Sequence, residues 1–337
     1  MKREKGATKT LRPVGIVGLG SYVPKRVLTN KDLEGMVETS DEWITTRTGI
    51  KERRLAAPHE STSVLAALAA KEALRDAGVE AAAIELIVVA TVTPDMPFPA
   101  TACLVQEKIG AKEAACFDVS AACAGFLYGL EMARQMIASG ACRNALVVGA
   151  EKLSSVTDWT DRNTCVLFGD GAGAAVLAPV KEGGILSSYL GSDGSLAELL
   201  MIPAGGSSRP ASAETLRDHM HFIKMRGNEV FKLAVKIMSD AACKALKKCR
   251  LGVEDIDCFI PHQANMRILD AVARKMLLPK EKIFFNVAQY GNMSAASTAV
   301  ALSEAYHGGR IKPGSVVVLD AFGAGLVWGS CVIRWQK

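Results

Sequence analysis

Short runs of consecutive aliphatic and β-branched residues recur along this chain, separated by longer stretches in which apolar positions return every three or four residues. The runs at 84–91 (IELIVVAT), 145–150 (ALVVGA), 174–177, 316–321 (VVVLDA) and 331–335 are strand-length and apolar at successive positions. That predicts strands buried on both faces rather than alternating inside and out. The stretches 65–77, 126–138, 231–249 and 295–306 are rich in alanine with apolar residues at helical spacing, which predicts helices. Strands alternating with helices in this way predict an α/β fold.

The pattern also repeats. EALRDAGVEAAAIELIVVA (72–90) lines up with KALKKCRLGVEDIDCFIPH (244–262) as helix, turn, acidic cap and strand. Phe117-Asp-Val, a small-residue turn, a helix and ALVVGA are answered by Phe285-Asn-Val, a small-residue turn, a helix and VVVLDA. GDGAGAAVL (169–177) pairs with GAGLVWGSCVI (323–333), each read as a Gly-rich bend entering a strand. Three matches in the same order predict a duplicated α/β half with its join near Gly183-Gly184. The expected division is a tail at 1–13, a first half at 14–182 and a second at 183–337. At about 150 residues per domain, 337 residues accommodate such a doubled unit.

Composition narrows the function classes. Apolar residues are 49% and charged residues 22%, an ordered globular balance. The net charge of +5 comes without any basic run interleaved with aromatics, which argues against nucleic-acid binding. Nine cysteines, an odd number with no C-x-x-C pair, favour reduced thiols and a cytoplasmic location. No stretch reaches the ~18 uninterrupted apolar residues of a membrane helix, and the N-terminus has no apolar segment typical of a leader.

Three residues then carry candidate chemistry. Cys123 sits in SAACAGF (120–126), a small-residue turn between a strand and an apolar helix. Such a turn exposes the sulfur, and the helix N-terminus is expected to favour thiolate and lower its pKa. The plain alternative is a buried structural cysteine. His262 follows a strand in FIPHQAN (259–265), where α/β folds place ligands. Asn292 lies in YGNMSAAS (290–297), again a small-residue turn before a helix, and would otherwise be a helix cap. Under the duplication Cys123 and Asn292 occupy equivalent turns at the centre. A thiol there can hold an acyl group, while imidazole and carboxamide donate hydrogen bonds to a thioester oxygen as a β-carboxylate leaves as CO2. GIVGLG (15–20) has the wrong glycine order for a dinucleotide fingerprint, and Pro24 blocks its helix. GDGAG (169–173) lacks the Lys-Ser/Thr of a phosphate loop, and no Cys/His cluster has zinc spacing.

The segments SDEWITTRTGI (40–50), DVSAACAGF (118–126), FGDGAGAAVL (168–177), PHQANMRI, YGNMSAAS and AFGAGLVWGS (321–330) are together similar to the β-ketoacyl-acyl carrier protein synthase III family. These are the initiating ketosynthases of the thiolase superfamily, and the resemblance runs from about 14 to 335. It implies a thiolase-like fold, duplicated βαβαβαββ halves in a five-layered α-β-α-β-α architecture. It implies that an acyl-CoA primer, acetyl-CoA above all, acylates Cys123. Malonyl-acyl carrier protein is then decarboxylated with His262 and Asn292 to give a 3-oxoacyl-acyl carrier protein, without a cofactor. Backbone N–H groups of Cys123 and Ala324 would form the oxyanion hole, with Phe322 against the nucleophile. Trp43 and Arg162 would flank the adenine of CoA, Arg47 would meet phosphate and Asn265 the pantetheine arm. Lys232, Arg267, Arg274 and Lys275 would dock the acidic carrier protein. In a homodimer, Phe98 would close the primer pocket of the partner and favour short primers. Met293, Ala324 and Leu326 depart from residues common in the family and bear on pocket shape. A thiolase would want a second catalytic cysteine, a role that Cys331 in a strand-like run does not fit. A non-catalytic acyl-CoA binder would need no Cys123, and a cysteine hydrolase would release free acid.

Overall fold

Residues 12–337 are described by a computed structural model, so most of the expected tail lies outside the described residues. The apolar runs form strands Leu86–Ala90, Ala145–Lys152, Asp170–Pro179, Val316–Gly323 and Val327–Arg334. The first sheet runs in the order Val14–Tyr22, Asp170–Pro179, Ala145–Lys152, Leu86–Ala90, Ala115–Val119. The second runs Gly184–Ser192, Val327–Arg334, Val316–Gly323, Cys258–Pro261. Both sheets read antiparallel, antiparallel, then parallel along these orders. The fifth strand of the first sheet, parallel to its neighbour, is answered in the second only by a parallel bridge between Phe259 and Ile283. The duplication read from sequence is therefore a duplication of topology.

Helices Thr62–Ala77 and Thr101–Ile109 cover the outer face of the first sheet, and Gly227–Lys248 and Met266–Met276 that of the second. Between the sheets lie Gly125–Ser139 and Ala295–His307, giving five layers. The central core joins Val88 and Val147, Phe126, Leu130 and Leu302, then Val317 and Leu319, all essentially without solvent exposure. Each such side chain contributes about 1.5–3 kcal/mol by leaving water, which fixes the two middle helices, and the turns that start them, against one another.

Two glycine-rich segments are strand for one reason. GIVGLG lies within strand Val14–Tyr22, and GDGAG, read as a bend, is strand from Asp170 onward in Asp170–Pro179. A Cβ on Gly18 or Gly20 would overlap the backbone around Ala73, and one on Gly173 would stand 2.6 Å from Ala299. Glycine is needed there because helices press directly onto the sheet.

Candidate active site

Both middle helices begin at a strained turn. Before Gly125–Ser139 stand Ala122, at φ +41°, and the short 3-10 turn that carries Cys123. Before Ala295–His307 stands Ser294, at φ +46°. A side chain in this region costs about 1–3 kcal/mol and persists where packing over-determines it. The packing is visible at Gly323, the end of strand Val316–Gly323: a Cβ there would lie 2.7 Å from the Cys123 nitrogen. That contact brings the 323–325 bend, with Ala324, beside the sulfur. Cys123, His262, Asn292, Phe322 and Ala324 line one cavity of about 720 Å³.

Asn292 is oriented by its surroundings. Its N–H donates to the Leu167 carbonyl at 2.8 Å, and its carbonyl accepts from the Gly169 N–H at 3.0 Å, so the FGDGAG segment holds it from across the fold. Its Oδ1 accepts the Ser294 N–H at 2.8 Å. With the oxygen engaged, the side-chain NH2 is the group left to face the cavity as a donor. His262 extends strand Cys258–Pro261; its N–H donates to the Asp320 carbonyl at 2.7 Å and its carbonyl accepts from Ala264 at 2.8 Å. Next to it, Gln263 donates to Pro261 O at 2.7 Å and accepts the Asn286 N–H at 2.9 Å, tying the histidine loop to the segment leading to Asn292.

Burial sets the charge states. The imidazole of His262 is pushed down to about 3, so it is neutral throughout the physiological range. The Cys123 thiol is pushed up to about 12 by burial, opposed by the Ser294 hydroxyl and reinforced by the buried Glu151. The helix N-terminus was expected to lower this pKa. Its influence is outweighed because the sulfur is packed between two helices and the 323–325 bend, away from water.

The remaining expected residues divide by position. Trp43, Arg47, Asn265 and Arg267 line the same cavity, with Arg47 and Arg267 exposed at its rim. Arg162 stands beside it, its Cζ 4.7 Å from the Trp43 ring centre, and Arg47 is 5.0 Å from the same centre. Arg162 also donates to the Glu38 carbonyl at 2.8 Å. Arg162 thus covers one face of the Trp43 ring. Lys232, Arg274 and Lys275 are exposed on helices Gly227–Lys248 and Met266–Met276 outside the cavity lining. Lys275 pairs with Asp240 at 3.5 Å, and Arg267 stacks on Phe231 at 5.5 Å. Phe98 is 83% exposed and does not line the cavity of its own protomer. Met293 and Leu326 are fully buried.

Sequence reading passed over Ser294, Gln263 and Glu151. The one signal for Glu151 was a carboxylate at the end of an otherwise apolar strand, ALVVGAEK.

The comparisons agree in one direction. Residues 117–194 match the family described as 3-oxoacyl-[acyl-carrier-protein (ACP)] synthase III, and residues 246–335 its C-terminal part. A β-ketoacyl-[acyl-carrier-protein] synthase III from Caldanaerobacter subterraneus is 57% identical over 324 residues, 96% of this chain and 98% of the relative. One from Clostridioides difficile is 52% identical over 321 residues, 95% and 98% of the two chains. The crystal structure of the Aquifex aeolicus 3-oxoacyl-[acyl-carrier-protein] synthase III superposes with a TM-score of 0.89 at 48% identity, covering 96% of this chain and all of that one. The priming β-ketosynthase of a polyketide biosynthetic pathway superposes at 0.91 with 35% identity, covering 99% of each.

Proposed function

The chain belongs to the β-ketoacyl-acyl carrier protein synthase III family, and from that premise we propose that Cys123, His262 and Asn292 perform its initiating condensation. The enzyme joins a short acyl-CoA primer to malonyl-acyl carrier protein, giving a 3-oxoacyl-acyl carrier protein, CO2 and CoA. In our reading acetyl-CoA is the primer, its acyl group passes to the Cys123 sulfur, and CoA thioesters serve as substrates, with no separate cofactor. The observation that carries the assignment is Asn292, whose side-chain Oδ1 accepts the Ser294 N–H so that its NH2 faces the cavity shared with neutral His262. Two neutral donors around one oxygen suit the enolate formed as CO2 departs. The N–H groups of Cys123 and Ala324 serve the tetrahedral intermediate, and the Phe322 ring excludes water beside the sulfur. Incubation with isotopically labelled acetyl-CoA, followed by peptide mass spectrometry, should place the label on Cys123. Addition of malonyl-acyl carrier protein should then move it into 3-oxobutyryl product. Label elsewhere, or released as acetate, would overturn the assignment.

Trp43, Arg162, Arg47 and Asn265 bind CoA in this reading, Arg162 exchanging its stack on Trp43 for the adenine. Trp43→Ala is expected to raise the KM for acyl-CoA about tenfold, in keeping with the strength of such stacking. The KM for malonyl-acyl carrier protein should move little; steady-state kinetics with each substrate varied in turn checks this. Lys232, Arg267, Arg274 and Lys275, all exposed and Arg267 at the cavity rim, receive the acidic carrier in this reading. The strand Ala115–Val119 is the open edge of the first sheet, and exposed Phe98 precedes the helix that follows it in space. We assign this edge to a second copy of the chain, with Phe98 reaching the partner's primer pocket. The halves are divided at 182/183. No helix among the described residues is long and apolar enough to cross a membrane, and we place the enzyme in the cytoplasm.

A further inference from the structure

Acylation of Cys123 requires its thiol to lose a proton, and the residues assigned so far include no good acceptor. The thiol is held up at about 12. His262, with a pKa near 3, is too weak a base to take its proton efficiently.

A second ionisable group is buried close by and unused by the condensation. Glu151, with no exposed surface, is the penultimate residue of strand Ala145–Lys152. It accepts hydrogen bonds from Thr93 Oγ1 at 2.7 Å, Thr91 Oγ1 at 3.2 Å and the Val92 N–H at 3.1 Å. These donors are neutral, and Cys123 is the titratable group that faces it. Ser294 stands near both. Its hydroxyl holds the Cys123 thiol and the Glu151 carboxyl below the values that burial alone would set. That hydroxyl is buried and close to both groups, yet completes a full hydrogen bond to neither, on a residue kept at φ +46°. An unpaired hydroxyl is costly inside a protein, and this one is aimed between a nucleophile and a carboxylate.

We propose that Ser294 relays the Cys123 proton to Glu151 during acylation and returns it to the departing CoA sulfur. As the Cys123 sulfur bonds to the acyl carbon, its S–H bond breaks and the proton passes to Ser294 Oγ while the serine's own proton passes to the Glu151 carboxylate. When the bond from the acyl carbon to the CoA sulfur breaks, that sulfur takes the proton back along the same path. Glu151 ends as a carboxylate, and no external acid or base is consumed. Ser294 is the neighbour of the reacting sulfur, and Glu151 acts through it. Burial raises the Glu151 carboxyl to about 7, against the lowering by Thr93, Val92, Ser294 and Thr91. The accepting carboxylate is therefore present above about pH 7 and lost below it.

The relay rests on Cys123 being the nucleophile, and the test separates the two. The rate of Cys123 acylation by acetyl-CoA, followed by mass in single turnover, should rise with pH through about 7 in the wild-type enzyme. Glu151→Gln and Ser294→Ala should each acylate about 100-fold more slowly without that rise, and the double variant no more slowly than either. Ser294→Ala removes a hydroxyl without a partner, so it remains informative if Glu151→Gln does not fold. Wild-type enzyme that never acylates Cys123 would overturn the function itself. Acylation by the wild type with no rise near pH 7, or variants matching it in rate and profile, would overturn the relay alone.

Discussion

Cys123→Ala is expected to abolish acyl transfer and condensation, by about 10⁴-fold or more, because among the described residues no other thiol lines the cavity to receive the primer's acyl group. Decarboxylation of malonyl-acyl carrier protein should persist in the same variant. The donors for that step, His262 and the NH2 of Asn292, are held by contacts that do not involve the sulfur: His262 by the Asp320 carbonyl and Asn292 by Leu167, Gly169 and Ser294. The variant should therefore release CO2 from malonyl-acyl carrier protein, leaving acetyl-acyl carrier protein and no 3-oxoacyl product. Product analysis by mass, beside a CO2-release assay, makes the check. Condensation at the wild-type rate would remove Cys123 from the mechanism.

The complementary loss is expected at the other two residues. His262→Ala and Asn292→Ala each remove one donor to the enolate oxygen, and one donor of this kind is worth about 10²–10³-fold in rate. Both should still acquire the acyl group on Cys123 and then stall. Asn292→Asp is the sharper variant, since it retains the oxygen that accepts the Ser294 N–H while losing the NH2. The two donors serve one oxygen, so the double variant should lose less than the product of the single losses. The pH dependence carries a sign as well. A depressed histidine pKa means that the neutral form persists down to about 3, so decarboxylation should stay level through pH 6.5, where an ordinary histidine titrates. A limb near 6.5 that vanishes in His262→Ala would show that the imidazole acts as a charged acid rather than a neutral donor. Acylation and CO2 release measured separately on each variant decide both points.

Much of this enzyme is written locally. Strand-length apolar runs, helical spacing and a repeated order of turns are properties of neighbouring residues, and they determined the elements, the duplication and the two central turns. Cys123 and Asn292 were legible because small residues crowd a strand-to-helix turn around a single polar side chain, and His262 because it stands where a strand ends. The charge state of the thiol was not legible. A helix N-terminus is visible in sequence and argues for a lower pKa, while the burial that overrides it comes from Gly323, two hundred residues away in the chain. The same holds for the donor face of Asn292, set by Leu167 and Gly169, and for Arg162, whose stack on Trp43 spans the first half. Glu151 carried no role in the sequence, and only the fold brings Ser294, from the other half, near both it and Cys123. Sequence by itself determined which groups stand at the centre of this protein. Only the tertiary structure decided their protonation and orientation, because both depend on desolvation and on partners that the chain brings together from its two separate halves.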